Sequence, residues 1–395
     1  MLERRCSFDL PSASEVNGAT ILIALTSIHW REAWKYGERA FRYCQHDLGH
    51  AVAAVRIAAE LQGLSAQMLP GWSQSQIAAL TGIDRDADYV DAEREEPGCV
   101  LSIARDVTPV AADAVLTAVR AGEWTGAANQ LSEDHVQWTF IDDIARDTED
   151  PGRFVPASPA LGRRSLGAGG HPAPPAYPAE VILQRRSAVA LDGQSSIGRD
   201  AFFDMLAQTL PSNGSPANAL WWDARIHLAL FVHRVDAVDR GMYLLVRHDA
   251  ALDRLRNACG REFLWERAHA TLPLFLLHRG DCRRLAQRLS CDQEIAADGF
   301  FSLGMIADFD ASLAEFGPSF YRHLFWESGV VGQLLYLAAE SAGARGTGIG
   351  CFYDDPVHEV LGLTGHAFQS LYHFTIGMPV EDTRLMTRPG YAWET

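Results

Sequence analysis

The chain has 395 residues, 48% of them hydrophobic, and its 50 acids against 34 bases give a formal net charge of -16. That length exceeds one ordinary domain and predicts two, while the acidic balance excludes a nucleic-acid backbone or an anionic membrane surface as the main partner. No apolar run approaches the roughly 18 residues of a membrane span and the N-terminal stretch has no apolar targeting core, so a cytoplasmic protein is the expectation.

The apolar run Ile21 to Thr26 predicts a strand. WKYGERAFRY, Trp34 to Tyr43, then sets Lys35 beside Tyr36, two proton-transfer groups whose usefulness depends on burial lowering the lysine pKa. The competing reading is an exposed lysine beside a packed tyrosine. A helix is predicted from about Ala40 to Leu61, apolar on most of its circumference through Leu48, Val52, Val55, Ala58 and Ala59 and also Ala51, Ala54 and Ile57. Such a helix belongs between layers or at the seam between lobes. Inside it HDLGH places His46 and His50 on one face, as a zinc-protease HExxH does. Its acid is Asp47, a methylene shorter than glutamate, and Ala53 and Arg56 stand at the third-ligand spacing. Only a distant acid such as Glu93 could complete a site, so packing is the better reading and no metal is expected.

Between Asp150 and Ala179 the chain turns to Pro, Gly and Ala without apolar periodicity, which predicts an extended connector. The boundaries are therefore residues 1–150, a connector over 151–178, and residues 179–395. The flanks are related. Phe41 to Gly82, moved by 280 positions, lies without a gap on Tyr321 to Gly362 with seven identities, among them Arg42/Arg322, Gly49/Gly329, Gly63/Gly343 and Gly82/Gly362. Each lobe is read as a strand, a polar turn and a long buried helix. The twin of HDLGH is WESGV, with Trp326 and Val330 at the histidine positions and an acid and a glycine shared.

After the connector, QRRSAVALDG, Gln184 to Gly193, groups two guanidinium forks with a hydroxyl, a set suited to a phosphate and equally to a solvated basic turn. Helices are predicted at Ala201 to Leu210 and Asp253 to Ala258, and strands at Leu228 to Val232 and Met242 to Val246, an α+β pattern. GQSSIG at 193–198 has the wrong spacing for a nucleophile elbow. The basic run HRGDCRRLAQRL at 278–289 reads as a solvated helix face, and His358, His366 and His373 have no ligand-like spacing. GARGTGIGCFYDD, Gly343 to Asp355, resembles a dinucleotide fingerprint but closes a helix rather than opening one, so a helix C-cap is the plain reading. The seven cysteines, Cys6, Cys44, Cys99, Cys259, Cys282, Cys291 and Cys351, contain no CxxC pair and predict reduced, mostly buried and inert thiols.

RRS, a long helix ending in TGIGCF, and the terminal HFTIGMPVEDTRL together resemble the nitroreductase family of flavin enzymes. WKYGERAFRYCQHDLGHA followed by an Ala-rich helix looks like its SagB-type dehydrogenase branch, in which larger members carry two nitroreductase-like lobes in tandem. The resemblance implies an α+β, FMN-dependent nitroreductase-like fold, with two related lobes forming a pseudo-dimer. The first is truncated, since it begins without an RRS segment; a start other than Met1, or completion by another chain, is compatible with that. The family's two-chain interface would then lie within one chain, with a homodimer as a further candidate. Carried over by position, Arg185 and Ser187 hold the FMN phosphate and ribityl chain with Arg186 nearby. Gly348, Ile349, Gly350 and Cys351 line the isoalloxazine edge, Arg384 is a C-terminal phosphate contact, Asn213 is a further flavin contact, and Lys35 and Tyr36 are catalytic. Val189 replaces a basic residue the family usually has, and Met68 and Pro70 stand opposite Gly348 and Gly350, so one flavin site is expected, built mainly from the second lobe. The implied chemistry is hydride transfer at flavin N5. Either NAD(P)H, as the candidate electron donor, reduces FMN for a small acceptor, or a peptide azoline-like substrate is oxidised. The alternative is a flavin-free pseudoenzyme serving as a binding or scaffold subunit.

Overall fold

The computed structural model describes residues 5–8, 20–105, 110, 112–134, 136–153, 177–211, 216–260, 262–384 and 386. Asn213 and connector residues 154–176 lie outside them. The first lobe runs β1 (Arg5–Ser7), β2 (Ile21–Ser27), α1 (Trp30–Tyr36), α2 (Ala40–Leu61), β3 (Ser65–Met68), α3 (Gln74–Thr81), β4 (Glu96–Ala104), α4 (Ala112–Ala121), β5 (Glu123–Thr125) and α5 (Thr139–Asp147). An antiparallel sheet in the order β2-β4-β3 forms its centre, and β1 pairs with β5.

The second lobe opens with α6 (Ala179–Gln184), α7 (Arg199–Gln208), β6 (Ile226–Val232), β7 (Gly241–Leu245), α8 (Leu252–Ala258), β8 (Glu266–Arg267) and β9 (Leu274–Arg279). It continues through α9 (Arg283–Leu289), α10 (Ile295–Asp298), β10 (Phe301–Asp308), α11 (Phe309–Phe316), α12 (Phe320–Ser341), β11 (Arg345–Ile349), α13 (Asp354–Leu361) and β12 (Phe368–Gly377). Its seven-stranded antiparallel sheet has the order β11-β12-β10-β6-β7-β9-β8.

The repeat is visible in these elements. The order β2-β4-β3 recurs as β10-β12-β11, α2 and α12 are both 22 residues long, and α3 and α13 both end on a left-handed glycine, Gly82 at φ 69° and Gly362 at φ 70°. Two expectations need correction. The turn before each long helix carries a short helix, α1 or α11, because WREAWKY and FDASLAEF contain neither Gly nor Pro to stop one. The GTGIG stretch is strand β11, because its backbone pairs with β12 from Arg345/Gly377 to Ile349/His373.

The lobes meet along α2 and α12. A Cβ on Gly49 would overlap the Trp326 carbonyl, and one on Gly329 would overlap the His46 carbonyl, so the two backbones touch with no side chain between them. Since His46 and Trp326 are twins, the contact is reciprocal, as at a two-fold interface. Leu48, Val52, Met68 and Leu101 of the first lobe share one hydrophobic cluster with Phe301, Leu324 and Val330 of the second, so this cluster crosses the seam, while others stay within one lobe, around Trp72 and Val100 in the first and Phe231 and Leu277 in the second. Each such buried aliphatic side chain contributes about 1.5–3 kcal/mol.

Among the described residues one ion pair is wholly inside. Arg247 Nη1 donates to Glu327 Oε1 at 2.5 Å with both side chains nearly inaccessible. The same carboxylate accepts Trp222 Nε1 at 3.1 Å and the backbone N–H groups of Arg225 and Ile226 at 2.9 and 3.1 Å. It thereby ties the start of β6 to the middle of α12. Among the described residues no helix is long and apolar enough to cross a membrane.

Candidate active site

Edge strand β11 positions the site. Its glycines admit rings: a Cβ at Gly346 would strike Phe374, and one at Gly348 would overlap the Tyr372 hydroxyl. The segment after the paired arginines runs along the outer edge of β11, where Ala188 N donates to Gly346 O at 3.1 Å and Thr347 Oγ1 to Ala188 O at 2.6 Å. Three stretches converge on Tyr336 of α12. Its hydroxyl accepts the Gly348 N–H at 2.9 Å and lies 3.0 Å from Ser187 Oγ, and the Arg185 guanidinium sits 4.8 Å from its ring centroid. Arg186 folds back onto the carbonyls of Leu183 and Arg185 at 2.9 and 2.8 Å. Among the described residues neither arginine has a carboxylate partner, and Arg185 stands with the Ser187 hydroxyl beside Tyr336 at the lobe seam.

Helix α2 reaches the same place from the first lobe. His46 Nε2 donates to Leu371 O at 3.1 Å, and its ring stacks on Tyr372 with centroids 4.1 Å apart. His50 hydrogen-bonds Gln333 Oε1 at 3.2 Å and the Tyr372 hydroxyl at 3.3 Å. Burial holds His46 well below the usual imidazole range and brings His50 down to about 4, so both rings are neutral near pH 7. Glu93 accepts the backbone N–H groups of Leu131 and Ser132 at 2.7 and 2.9 Å. HDLGH is thus a set of contacts across the seam.

Lys35 and Tyr36 lie on the surface, Tyr36 with 41% exposure, and the ammonium stands 4.9 Å from the Tyr36 ring centroid. The hydrogen bond to Tyr36 raises the lysine pKa. Burial therefore does not supply the lowered lysine pKa on which the pair's usefulness depended; the lysine is exposed, as in the competing reading, and so is the tyrosine. The pair is nevertheless linked to the glycine strand: Tyr36 packs edge-on against Tyr43 at 4.8 Å, and the Tyr43 ring fills the space a Cβ on Gly350 would need. Arg39 and Arg42 fasten this region by binding Asp354 at 3.2 and 3.0 Å.

The remaining candidates are dispersed. The Ile349 side chain is 3% exposed and faces the core, Cys351 is exposed, and the Arg384 guanidinium is bound to Asp382 at 2.9 and 2.8 Å. Asn213 lies outside the described residues. Two open clefts of about 450 and 480 Å³, one walled by Arg234 and Asp281 and the other by Arg199 and Glu266, include none of these residues. Sequence reasoning missed Tyr336 and Tyr372, since tyrosines in a buried helix and strand read as core. It also passed over a signal for Lys35. Among the 34 Lys and Arg residues Lys35 is the one lysine, and a lysine, unlike an arginine, can release its proton in a protein.

This mixed helix-and-sheet architecture is a nitroreductase-like fold. A protein of Anabaena variabilis assigned as a nitroreductase has a TM-score of 0.63 to the chain at 20% identity, covering 91% of this chain and 69% of that one. The NADPH:FMN oxidoreductase of Vibrio harveyi complexed with NAD+ shares 16% identity over 53% of this chain and 73% of its own, with a TM-score of 0.31. The E. coli microcin synthetase McbBCD complex with truncated pro-MccB17 bound gives 16% identity, 58% and 85% coverage, and a TM-score of 0.37. The fold assignment rests on the first of these. Neither a protein-family profile nor a curated protein sequence matches the chain.

Proposed function

We propose that the chain is an FMN-dependent oxidoreductase with one flavin site at the lobe seam. The observation that carries this reading is the meeting of Arg185, Ser187 and Gly348 on Tyr336, with two arginines that no carboxylate among the described residues neutralises. That donor set fits the phosphate end of FMN, because a dianion takes charge-assisted hydrogen bonds from guanidinium forks and a hydroxyl. Arg185 and Ser187 would hold the phosphate and ribityl chain, and the backbone from Gly348 to Cys351 the ring edge, with Asn213 and Arg384 as outer contacts. When bound, FMN supplies a hydride donor or acceptor.

Other steps belong to the chain. Lys35 stands 4.9 Å from the Tyr36 ring centroid, and Tyr36 raises its pKa and keeps the proton on Nζ, so the pair presents Lys35 Nζ and Tyr36 Oη together as the proton-handling groups for a substrate. An exposed acid-base pair suits a substrate that docks from outside, a modified peptide as in the SagB-type branch, or a small acceptor with NAD(P)H as donor. The seam is internal, so a homodimer is not needed to build it. A flavin-free scaffold protein is the second reading, favoured by the Tyr372 and Tyr43 rings that already fill the glycine faces.

The absorption spectrum of the purified protein decides between them. An FMN-dependent enzyme shows a band near ~450 nm that is released on heating and restored by added FMN; a colourless protein that FMN cannot reconstitute eliminates the enzyme reading. Arg185→Ala is expected to lower FMN occupancy at least about tenfold, equivalent to one lost charged hydrogen bond of roughly 1.4 kcal/mol or more. Lys35→Ala should retain FMN and lose turnover. Equal loss of flavin in both variants would contradict this division of roles.

A further inference from the structure

The thiols depart from the expectation of inert, buried cysteines at one place. Cys44, Cys99, Cys259 and Cys282 are buried, and burial pushes their thiols up, Cys282 to about 11 and Cys44 and Cys259 to about 12. Cys6 donates to the Val119 carbonyl at 3.6 Å. Cys291, half-buried between α9 and α10, and Cys351, exposed just after β11, face each other with their sulfurs 2.6 Å apart. That is roughly half an ångström longer than a covalent S–S bond.

The surrounding loops fix this approach. Tyr353 N donates to Leu289 O at 3.0 Å, and Gln293 Nε2 donates to Cys351 O at 3.1 Å and to Ser290 O at 2.8 Å. Cys291 and Asp292 both hold left-handed backbone, at φ 55° and 58°, a conformation that two successive non-glycine residues rarely adopt and that a structure maintains only under local constraint. The pair is 60 residues apart in sequence, and neither residue lies in a CxxC pattern.

We propose that Cys291 and Cys351 are a thiol-modification site that closes to a reversible disulfide, with low-molecular-weight disulfides as its oxidant and dithiols as its reductant. The Cys351 thiolate attacks one sulfur of the small disulfide RSSR, forming Cys351–SR and expelling RS⁻, which takes up the proton that Cys351 released. The Cys291 sulfur then attacks the Cys351 sulfur, the bond to SR breaks, and the second RS⁻ takes the Cys291 proton. Two protein thiols are oxidised and one RSSR is reduced to two RSH. Exposure makes Cys351 the attacking group. Burial, with the neighbouring Cys351, pushes the Cys291 thiol up to about 12, while Arg39 opposes that rise, so Cys291 does not attack RSSR first, and its place beside the Cys351 sulfur makes it the resolving group. The charged and titratable groups around the pair are Arg39, Asp292, Tyr43 and Tyr353. Closure would clamp the 289–293 loop to the end of the glycine strand. It does not depend on whether FMN binds.

The test uses the reduced full-length chain, exposed to glutathione disulfide, trapped with N-ethylmaleimide and mapped by mass spectrometry. The expected result is loss of alkylation at both Cys291 and Cys351, with a linked intrachain peptide two hydrogens lighter that dithiothreitol separates. Cys291→Ser should stop at a glutathione adduct on Cys351, and Cys351→Ser should leave Cys291 unmodified. A wild-type chain that keeps a glutathione adduct on Cys351 while Cys291 alkylates, that links to a second copy, or that stays unmodified overturns the proposal, and these results need no variant to fold.

Discussion

The two lobes build the same strand–helix–strand–helix–strand unit, and the acid on each long helix shows how differently they use it. Glu327 of α12 is buried and saturated by Arg247, Trp222 and the first residues of β6. Its twin on α2, Asp47, is exposed. The difference comes from the strands that extend the sheet beyond β10, of which β6, β7 and the residues flanking them supply the donors around Glu327, whereas β2 is an outer strand of three. The shared unit makes the seam; the added strands make an interior.

The largest effect should come from breaking this asymmetry. Glu327→Gln leaves Arg247 buried without its partner and is expected to cost about 3–5 kcal/mol in urea unfolding, against roughly 0.5 kcal/mol or less for Asp47→Asn. Similar losses would mean that the added strands do not set the difference.

A second comparison concerns His50 and its twin Val330. Burial lowers the His50 pKa from 6.5 to about 4, so the unfolded chain takes the proton first. The neutral ring's contribution is fully present above pH 6.5 and is lost as pH falls toward 4, a change on the order of 2–3 kcal/mol. His50→Val should flatten the dependence of the urea midpoint on pH in that window. An unchanged slope would assign it to the other buried histidines, such as His233 and His323.

The smallest effect tests the symmetry of the seam. Gly49→Ala and Gly329→Ala each force a methyl onto the opposite backbone, with an expected loss of about 1–2 kcal/mol after the gain in helix propensity. The reciprocal contact predicts equal losses, and a double variant that loses less than their sum. One tolerated substitution would show that the helices part more easily on one side.

Much of this was legible in the sequence. The bounds of α2, the shift of 280 positions and the two capping glycines follow from an ungapped pattern that local chemistry determines. Strand β11 was not legible, because Arg-Gly-Thr-Gly-Ile has no alternating apolar face, and its extended form comes from pairing with β12. The residues around Tyr336 could be named singly, Arg185, Ser187 and Gly348 among them. Their meeting point could not, since it joins a helix, an edge strand and the end of the connector. Lys35 was legible as a residue, and its exposure was one of two readings left open, because exposure is decided by how α1 packs. The Cys291–Cys351 approach spans 60 residues and two turns, and no spacing rule reaches it.

The Gly49–Gly329 crossing has a kinetic consequence. An interface between separate chains forms in a second-order step and empties on dilution; here both halves are carried on one polypeptide, at an effective concentration set by the connector. Assembly of the seam is therefore first-order, and the fraction of chains with a complete seam is independent of protein concentration. Cleaving the backbone within 154–176 would convert the same contact into an ordinary association equilibrium, and its dissociation constant would measure the strength of the whole seam.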